Sequence, residues 1–135
     1  MMFYTGVNRR SEKILLKIKK NKNQFKHFYK LINLVDSFEK ELIDGNFINI
    51  GKILDENWSL KKDLSNKVSN LKINEIYDTA LNAGALGGKL LGAGGGGYFL
   101  FLVEKKNQKK VIKSLRKLKQ INFKFEFNGS QSFLI

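Results

Sequence analysis

The 135-residue chain has no cysteine and no proline, and it has only one histidine. The absence of cysteine excludes disulfide scaffolds, thiolate metal sites and cysteine nucleophiles. A chain of this length forms about one domain and can bury a core without covalent cross-links. Its first residues, MMFYTGVNRR, lack the basic and then apolar pattern of a signal peptide, so we expect a cytoplasmic protein.

Arginine is also scarce, although the formal net charge of the chain is +13. The basic residues are lysines except at Arg9, Arg10 and Arg116. Arginine forks read bases better than the point charge of a lysine does. We therefore interpret most lysines as solvated and do not expect a nucleic-acid partner. No carboxylate pair or cluster of metal-ligating residues is visible, so no metal site is predicted. The apolar stretch 83–103 is interrupted by glycines and Lys89, so no membrane segment is predicted either.

Hydrophobic periodicity divides the chain into short strands and amphipathic helices. Strands are predicted at 2–5, 85–91, 98–103, 122–127 and 132–135, and helices at 11–20, 24–44, 46–60, 74–83 and 107–120. This order is the split β-α-β pattern of a ferredoxin-like antiparallel sheet, with extra helices in the first crossover. The sequence therefore predicts an α+β fold.

Several segments also predict how their side chains pack. The strand at 98–103 is apolar throughout, which is typical of a central strand buried on both faces. In the segment 122–127 every second residue is a phenylalanine, and these three rings are predicted to face inward. Asn74 is expected to cap the helix that Gly84 ends, and Trp58 is expected in the core. The helix at 24–44 has one apolar stripe, formed by Phe25, Phe28, Ile32, Val35, Phe38 and Leu42.

The run Gly-Ala-Gly-Gly-Gly-Gly at positions 92–97 is the most informative part of the sequence. Backbone amides without side chains can surround an anion, usually a phosphate. A dinucleotide-binding fingerprint is excluded because a strand, not a helix, follows the last glycine. A Walker A loop is excluded because Leu90 follows Gly88-Lys89, and the other protein-kinase motifs are missing. A tight hairpin with a purely structural role stays open as the alternative.

The segment GALGGKLLGAGGGG and the strand after it resemble the third conserved motif of the GHMP kinases. These are the galactokinase, homoserine kinase, mevalonate kinase and phosphomevalonate kinase superfamily. Other segments are similar to the bacterial D-glycero-D-manno-heptose 7-phosphate kinases, namely FYTG with Arg9, NWSLKK at 57–62, INEIY at 73–77 and FEFNGS at 125–130. The resemblance covers nearly all of residues 1–135, but only the C-terminal domain of the family.

The resemblance implies the fold named above and an ATP-dependent sugar kinase whose N-terminal, ATP-binding domain is absent from this chain. ATP and Mg²⁺ would be held mostly by that missing domain, and no catalytic residue is expected here. The glycine loop would close over nucleotide and substrate phosphates, and it comprises Gly92, Ala93, Gly94, Gly95, Gly96 and Gly97. Candidate contacts to the phosphate of a sugar-phosphate substrate are Lys89, Arg9 and Lys61.

Two further expectations follow. An isolated C-terminal domain would be inactive, and the apolar surface that faces its missing partner would make the chain self-associate. The alternative function is a non-catalytic ferredoxin-like module that binds RNA or another polyanion. Base stacking needs exposed aromatic side chains. The sequence predicts that the aromatic side chains of the strands are buried, which argues against this alternative, and those side chains are Phe99, Phe101, Phe123 and Phe125.

Overall fold

The computed structural model of the chain describes residues 1–8, 11–19, 24–129 and 131–132. The helices are α1 (Ser11–Lys19), α2 (Gln24–Ile43), α3 (Phe47–Asp63), α4 (Leu71–Asn82) and α5 (Gln108–Ser114), and a 3-10 turn at Lys105–Asn107 precedes α5. The strands are β1 (Met2–Tyr4), β2 (Ala85–Leu90), β3 (Tyr98–Val103) and β4 (Lys119–Ile121).

The four strands form one sheet in the order β2-β3-β1-β4, and all three pairings are antiparallel. The two central strands, β1 and β3, are therefore far apart in sequence, and the hairpin partner β2 lies at one edge. This is the arrangement of a ferredoxin-like sheet, and four helices intervene between β1 and β2. The predicted fold class is confirmed.

One face of the sheet carries the core. Phe3 of β1 and Phe99 and Phe101 of β3 are fully buried there. Trp58 of α3 and Tyr77 of α4 pack on these rings, with Trp58 edge-on to Phe99 at a centroid distance of 5.7 Å. The core position predicted for Trp58 is confirmed. Aromatic pairs of this kind contribute about 0.5–1.5 kcal/mol beyond the area that they bury.

Helix α3 lies against strand β2 at unusually short range. A Cβ atom added at Gly51 of α3 would lie 2.6 Å from both the Cβ and the carbonyl oxygen of Leu86. A Cβ atom added at Gly87 of β2 would collide with the carbonyl oxygen of Gly51. The two glycines therefore let the helix and strand backbones touch, which fixes the distance of α3 from the sheet edge.

The start of α4 differs from the prediction. The helix begins at Leu71 and is capped by Asn70, whose side-chain oxygen accepts a hydrogen bond of 3.1 Å from the backbone N–H of Ile73. The expected cap, Asn74, lies inside the first turns and accepts instead from the Ser69 hydroxyl at 2.7 Å. Either asparagine satisfies the capping pattern, and burial of Ile73 in the core selects the earlier one.

The C-terminal prediction is wrong. Helix α5 ends at Ser114, and the fourth strand is Lys119–Ile121, which the sequence had placed within and just after that helix. The pairing of β4 with β1 ends at Ile121, opposite Met2, and residues 122–127 lie outside the sheet. Phe123, Phe125 and Phe127 are consequently 43%, 79% and 93% exposed rather than buried. Of the last predicted strand, 132–135, Ser132 lies outside regular structure and residues 133–135 lie outside the described residues.

Burial on β3 and α2 also departs from the prediction. Strand β3 is buried on one face only, since Tyr98 is exposed and Leu100 and Leu102 are partly accessible. The apolar stripe of α2 is largely solvent-exposed, and its accessible members include Phe25, Ile32, Val35 and Leu42. Hydrophobic periodicity identifies the apolar face of a helix but does not say whether a neighbour covers it.

We expect Gly51→Ala to destabilise the fold. Helix propensity alone would stabilise α3 by about 1 kcal/mol. The added methyl group would overlap β2, however, and overpacking of this kind costs about 1–3 kcal/mol. Chemical denaturation would measure the change. The control is Ser59→Ala on the exposed side of α3, which should be neutral or slightly stabilising. A Gly51→Ala protein as stable as the Ser59→Ala protein would contradict the close packing.

The exposed stripe of α2 leads us to expect self-association of the isolated chain at high concentration. Ile32 is 62% exposed in the middle of this stripe. Ile32→Glu should shift the chain towards the monomer in sedimentation velocity, because a charge would have to be buried in the contact. Asn33→Glu adds the same charge at the next position and serves as the control. A wild-type chain that stays monomeric at every accessible concentration would exclude the expected association.

Candidate functional site: the glycine loop

The glycine loop, residues 92–97, connects the two strands of the β2–β3 hairpin. The hairpin ladder continues one step past β2, because Leu91 N–H donates to the Tyr98 carbonyl at 2.8 Å. The chain then turns through Gly94, whose φ of +106° is a conformation that side chains disfavour. Part of the glycine requirement is therefore conformational.

Glycine is also required in the loop because two other segments of the chain approach its backbone closely. Gly95 N–H donates to the Val68 carbonyl at 2.7 Å, and Gly97 N–H donates to the Val7 carbonyl at 2.9 Å. A Cβ atom on Gly94 would lie 2.8 Å from the Val68 oxygen, and one on Gly96 would lie 2.5 Å from the Val7 oxygen. The loop is thus held between the turn after β1 and the segment that joins α3 to α4.

Thr5 holds the end of the loop from the β1 side. Its backbone N–H and its hydroxyl both donate to the Gly97 carbonyl, each at 2.9 Å. The hydroxyl also accepts a hydrogen bond from Val7 N–H at 3.3 Å. Thr5 is fully buried, so its polar atoms depend on these partners. Sequence reasoning missed this role, because nothing in the pattern around Thr5 shows that it reaches a loop more than ninety residues away.

Four backbone amides of the loop have no partner within the described residues; Gly92 and Ala93 are accessible to solvent, whereas Gly94 and Gly96 are buried. The backbone N–H groups of Gly92, Ala93, Gly94 and Gly96 donate to no acceptor among the residues that the structure describes. Unpaired amides on a tight glycine turn are a favourable environment for an anion. None of residues 91–97 has a side chain that could accept or donate a proton, so the loop can bind and position but cannot act as a general base.

Lys61 anchors the entrance of the loop. Its ammonium group donates to the Leu90 carbonyl at 2.8 Å and to the Gly92 carbonyl. Two of its three N–H donors are therefore used by the chain, and one is left over. Burial, reinforced by the charge of Lys89, lowers the pKa of Lys61 to about 8. The predicted contact between Lys61 and a substrate phosphate stays a prediction.

Lys89 of β2 lies close enough to Lys61 for its positive charge to help lower the pKa of Lys61. Burial lowers the pKa of Lys89 as well. Its side chain borders an apolar cavity between α2 and α3 that also contacts Asn57 and Leu100. The structure thus brings Lys61 and Lys89 together beside the loop. Arg9, the third predicted contact, lies outside the described residues.

No metal site accompanies the loop in the part of the chain that the structure describes, since no group of three histidine, aspartate or glutamate side chains there could hold an ion. Within the same residues, no helix is both long enough and apolar enough to cross a membrane.

Residues 38–120 match the family described as GHMP kinases C terminal, and this match includes the whole glycine loop. The chain belongs to the GHMP kinase C-terminal domain family. The resemblance drawn from the glycine motif is therefore confirmed.

Relatives in this family act on different substrates. The D-glycero-alpha-D-manno-heptose 7-phosphate kinase of Campylobacter jejuni is 35% identical over 99 residues, which are 72% of this chain and 29% of that protein. The L-fucokinase/L-fucose-1-P guanylyltransferase of Bacteroides fragilis is 30% identical over 118 residues, or 82% of this chain and 12% of that protein. The chain spans less than a third of the length of either.

Solved GHMP kinases share the fold. The structure of L. major mevalonate kinase in complex with R-mevalonate superimposes with a TM-score of 0.74 at 26% identity, covering 86% of this chain and 37% of that one. The mevalonate kinase of Methanococcus jannaschii gives a TM-score of 0.73, also at 26% identity, and the match covers 87% of this chain and 36% of that one.

The buried position of Lys61 predicts how its titration affects stability. Its pKa is about 8 in the folded chain and ordinarily 10.5, so the unfolded chain binds the proton more tightly. The stability that this group contributes is therefore full above pH 10.5 and is lost as the pH falls towards 8. Unfolding free energies of the wild type and of Lys61→Met, compared across this range, should diverge in favour of the wild type as the pH rises.

Lys62→Met is the matched control, because the Lys62 ammonium lies 5.8 Å from the centre of the Trp58 ring instead of beneath the loop. Parallel pH profiles for the wild type and Lys61→Met would show that Lys61 is not buried as described.

Proposed function

We propose that this chain is the C-terminal domain of an ATP-dependent sugar or sugar-phosphate kinase, and that its glycine loop closes the active site over the phosphates. The chain acts with a separate or preceding N-terminal kinase domain. The observation that carries the proposal is the set of four unpaired loop amides beside two half-buried lysines. This arrangement suits the transferring phosphoryl group or the substrate phosphate, whose charge must be neutralised without a side-chain nucleophile.

The division of labour follows from what this chain offers. Phosphoryl transfer depends mainly on positioning and electrostatic stabilisation. The glycine loop would supply backbone donors, and Lys61 and Lys89 would supply positive charge. A metal-binding carboxylate cluster is not found among the described residues. Mg²⁺, most ATP contacts and any general base are therefore assigned to the N-terminal domain.

A heptose 7-phosphate is the proposed substrate, because the heptose 7-phosphate kinase of Campylobacter jejuni is 35% identical over 72% of this chain. Such a substrate already carries a phosphate, so the site needs to bind this phosphate as well as the phosphoryl group that ATP transfers. A reaction that consumes ATP and a sugar phosphate is consistent with the cytoplasmic location proposed from the sequence.

The isolated chain should turn over no ATP in the presence of heptose 7-phosphate. Addition of the separately expressed N-terminal kinase domain should produce a stable complex and restore phosphorylation, measured by release of ADP. In that complex, Gly94→Val should abolish turnover, because its side chain would meet the Val68 carbonyl and displace the loop.

The matched control is Gly45→Asn. Gly45 also has a positive φ, but a side chain there meets nothing within 4 Å, and asparagine tolerates this backbone conformation. Circular dichroism of both variants separates loss of function from loss of fold. Turnover by the chain alone that exceeds the Gly94→Val background, or a loop variant as active as Gly45→Asn in the complex, would contradict the proposal.

A further inference from the structure

The face of the sheet opposite the core carries a pair of tyrosines on its two central strands. Tyr4 of β1 and Tyr98 of β3 are direct cross-strand partners, and their ring centres lie 5.2 Å apart. Both side chains alternate with buried phenylalanines, Phe3 and Phe99, so they point away from the core. Tyr98 is 43% exposed, and Tyr4 is partly accessible.

Lysines lie at both edges of this face. Residues paired across antiparallel strands share a face. One cross-strand row therefore contains Lys119, Tyr4 and Tyr98, in the spatial order β4, β1, β3. The next row runs from Ile121 through Met2 and Leu100 to Lys89 on β2. Each row ends in a lysine, at opposite edges of the sheet, and neither row contains a carboxylate.

Helix α2 forms a wall at the β2 edge of the face, since it borders the cavity that Lys89 and Leu100 share. On the β1–β4 side Lys119 is exposed, and Met2 and Tyr4 are partly accessible. The surface is therefore a shallow aromatic platform with an exposed lysine at its β4 edge and a half-buried lysine at its β2 edge.

From this placement we propose that the Tyr4–Tyr98 platform binds single-stranded RNA, with bases stacked on the tyrosine rings and phosphates near Lys119 and Lys89. Aromatic side chains on the central strands of a four-stranded sheet are a known way to stack two or three bases. Lysines along the edges neutralise the backbone without reading sequence, which predicts weak sequence preference and strong dependence on salt.

Charge complementarity favours this occupant over a protein surface. The chain has a net charge of +13, and the two rows contribute lysines and no acidic group. The sequence predicts four buried phenylalanines on the strands, which disfavours RNA binding. Of these, Phe99 and Phe101 are buried as expected, whereas Phe123 and Phe125 are exposed. Tyr4 and Tyr98 become neighbours only through the order of the strands in the sheet. The inference does not rest on the proposed kinase function, although Lys89 belongs to both sites.

Fluorescence anisotropy of a labelled oligouridylate, titrated with the full chain at several salt concentrations, tests the proposal. Tyr4→Ala and Tyr98→Ala should each weaken binding about tenfold, the effect expected when a stacked base loses its ring. Tyr98→Phe should retain the wild-type affinity, since it keeps the ring and the fold. Tyr29→Ala removes a tyrosine that is 69% exposed on α2 and serves as the control.

The lysines give a second, separate readout. Lys119→Gln should reduce the slope of log affinity against log salt by about 0.7, the value for one phosphate contact on a single strand. Lys105→Gln, at an exposed position after β3, should leave the slope unchanged.

Three results would overturn the proposal. The first is equal binding by the wild type and both tyrosine-to-alanine variants, which would mean attraction by dispersed lysines only. The second is equal affinity for a duplex of the same length, because paired bases cannot stack on the platform. The third is a Tyr98→Ala protein that loses association with the N-terminal kinase domain while its RNA binding is unchanged, which would assign the platform to a protein partner.

Discussion

The β2–β3 hairpin can be approached by three other segments because it lacks side chains where they meet it. Helix α3 touches β2 through Gly51 and Gly87, the α3–α4 connection touches the loop at Gly94, and the turn after β1 touches it at Gly96. At each of these points a Cβ atom would overlap backbone atoms. The rest of the structure depends on this constraint, because it positions α3, the core that α3 covers and the loop together.

The same contacts determine which loop amides have no hydrogen-bond acceptor within the described residues. The amides of Gly95 and Gly97 are used to hold the loop against Val68 and Val7. Lys61 fixes the other end of the loop through two carbonyl groups, so the remaining amides lie on a segment held at both ends. A loop that is already ordered loses little entropy when it binds a phosphate, which is what a phosphoryl-transfer site requires. The structural and functional interpretations of the glycine run are therefore compatible.

The two faces of the sheet differ in how far other elements cover them. Every second residue of β1 and β3 lies on the core face, where Trp58 and Tyr77 cover the phenylalanines. The alternate residues lie on the opposite face, which α2 borders at the β2 edge. The exposed stripe of α2 and the tyrosine platform both result from this partial cover. They provide the surfaces on which a partner domain or a nucleic acid could act.

By itself, the sequence determined the fold class, most element positions and the family. The reason is that these depend on local periodicity and on a glycine motif that is nearly contiguous. Tertiary structure alone decided which asparagine caps α4, where the fourth strand lies and which apolar residues are covered. The phenylalanines after Ile121 alternate as a strand would, but they lie outside the sheet and are exposed. Likewise, the roles of Thr5, Val7 and Val68 at the loop, and the meeting of Tyr4 with Tyr98, arise from contacts between distant parts of the chain. No local pattern records such contacts. The chain entropy lost in forming them is offset only by the interactions that form when the whole sheet assembles.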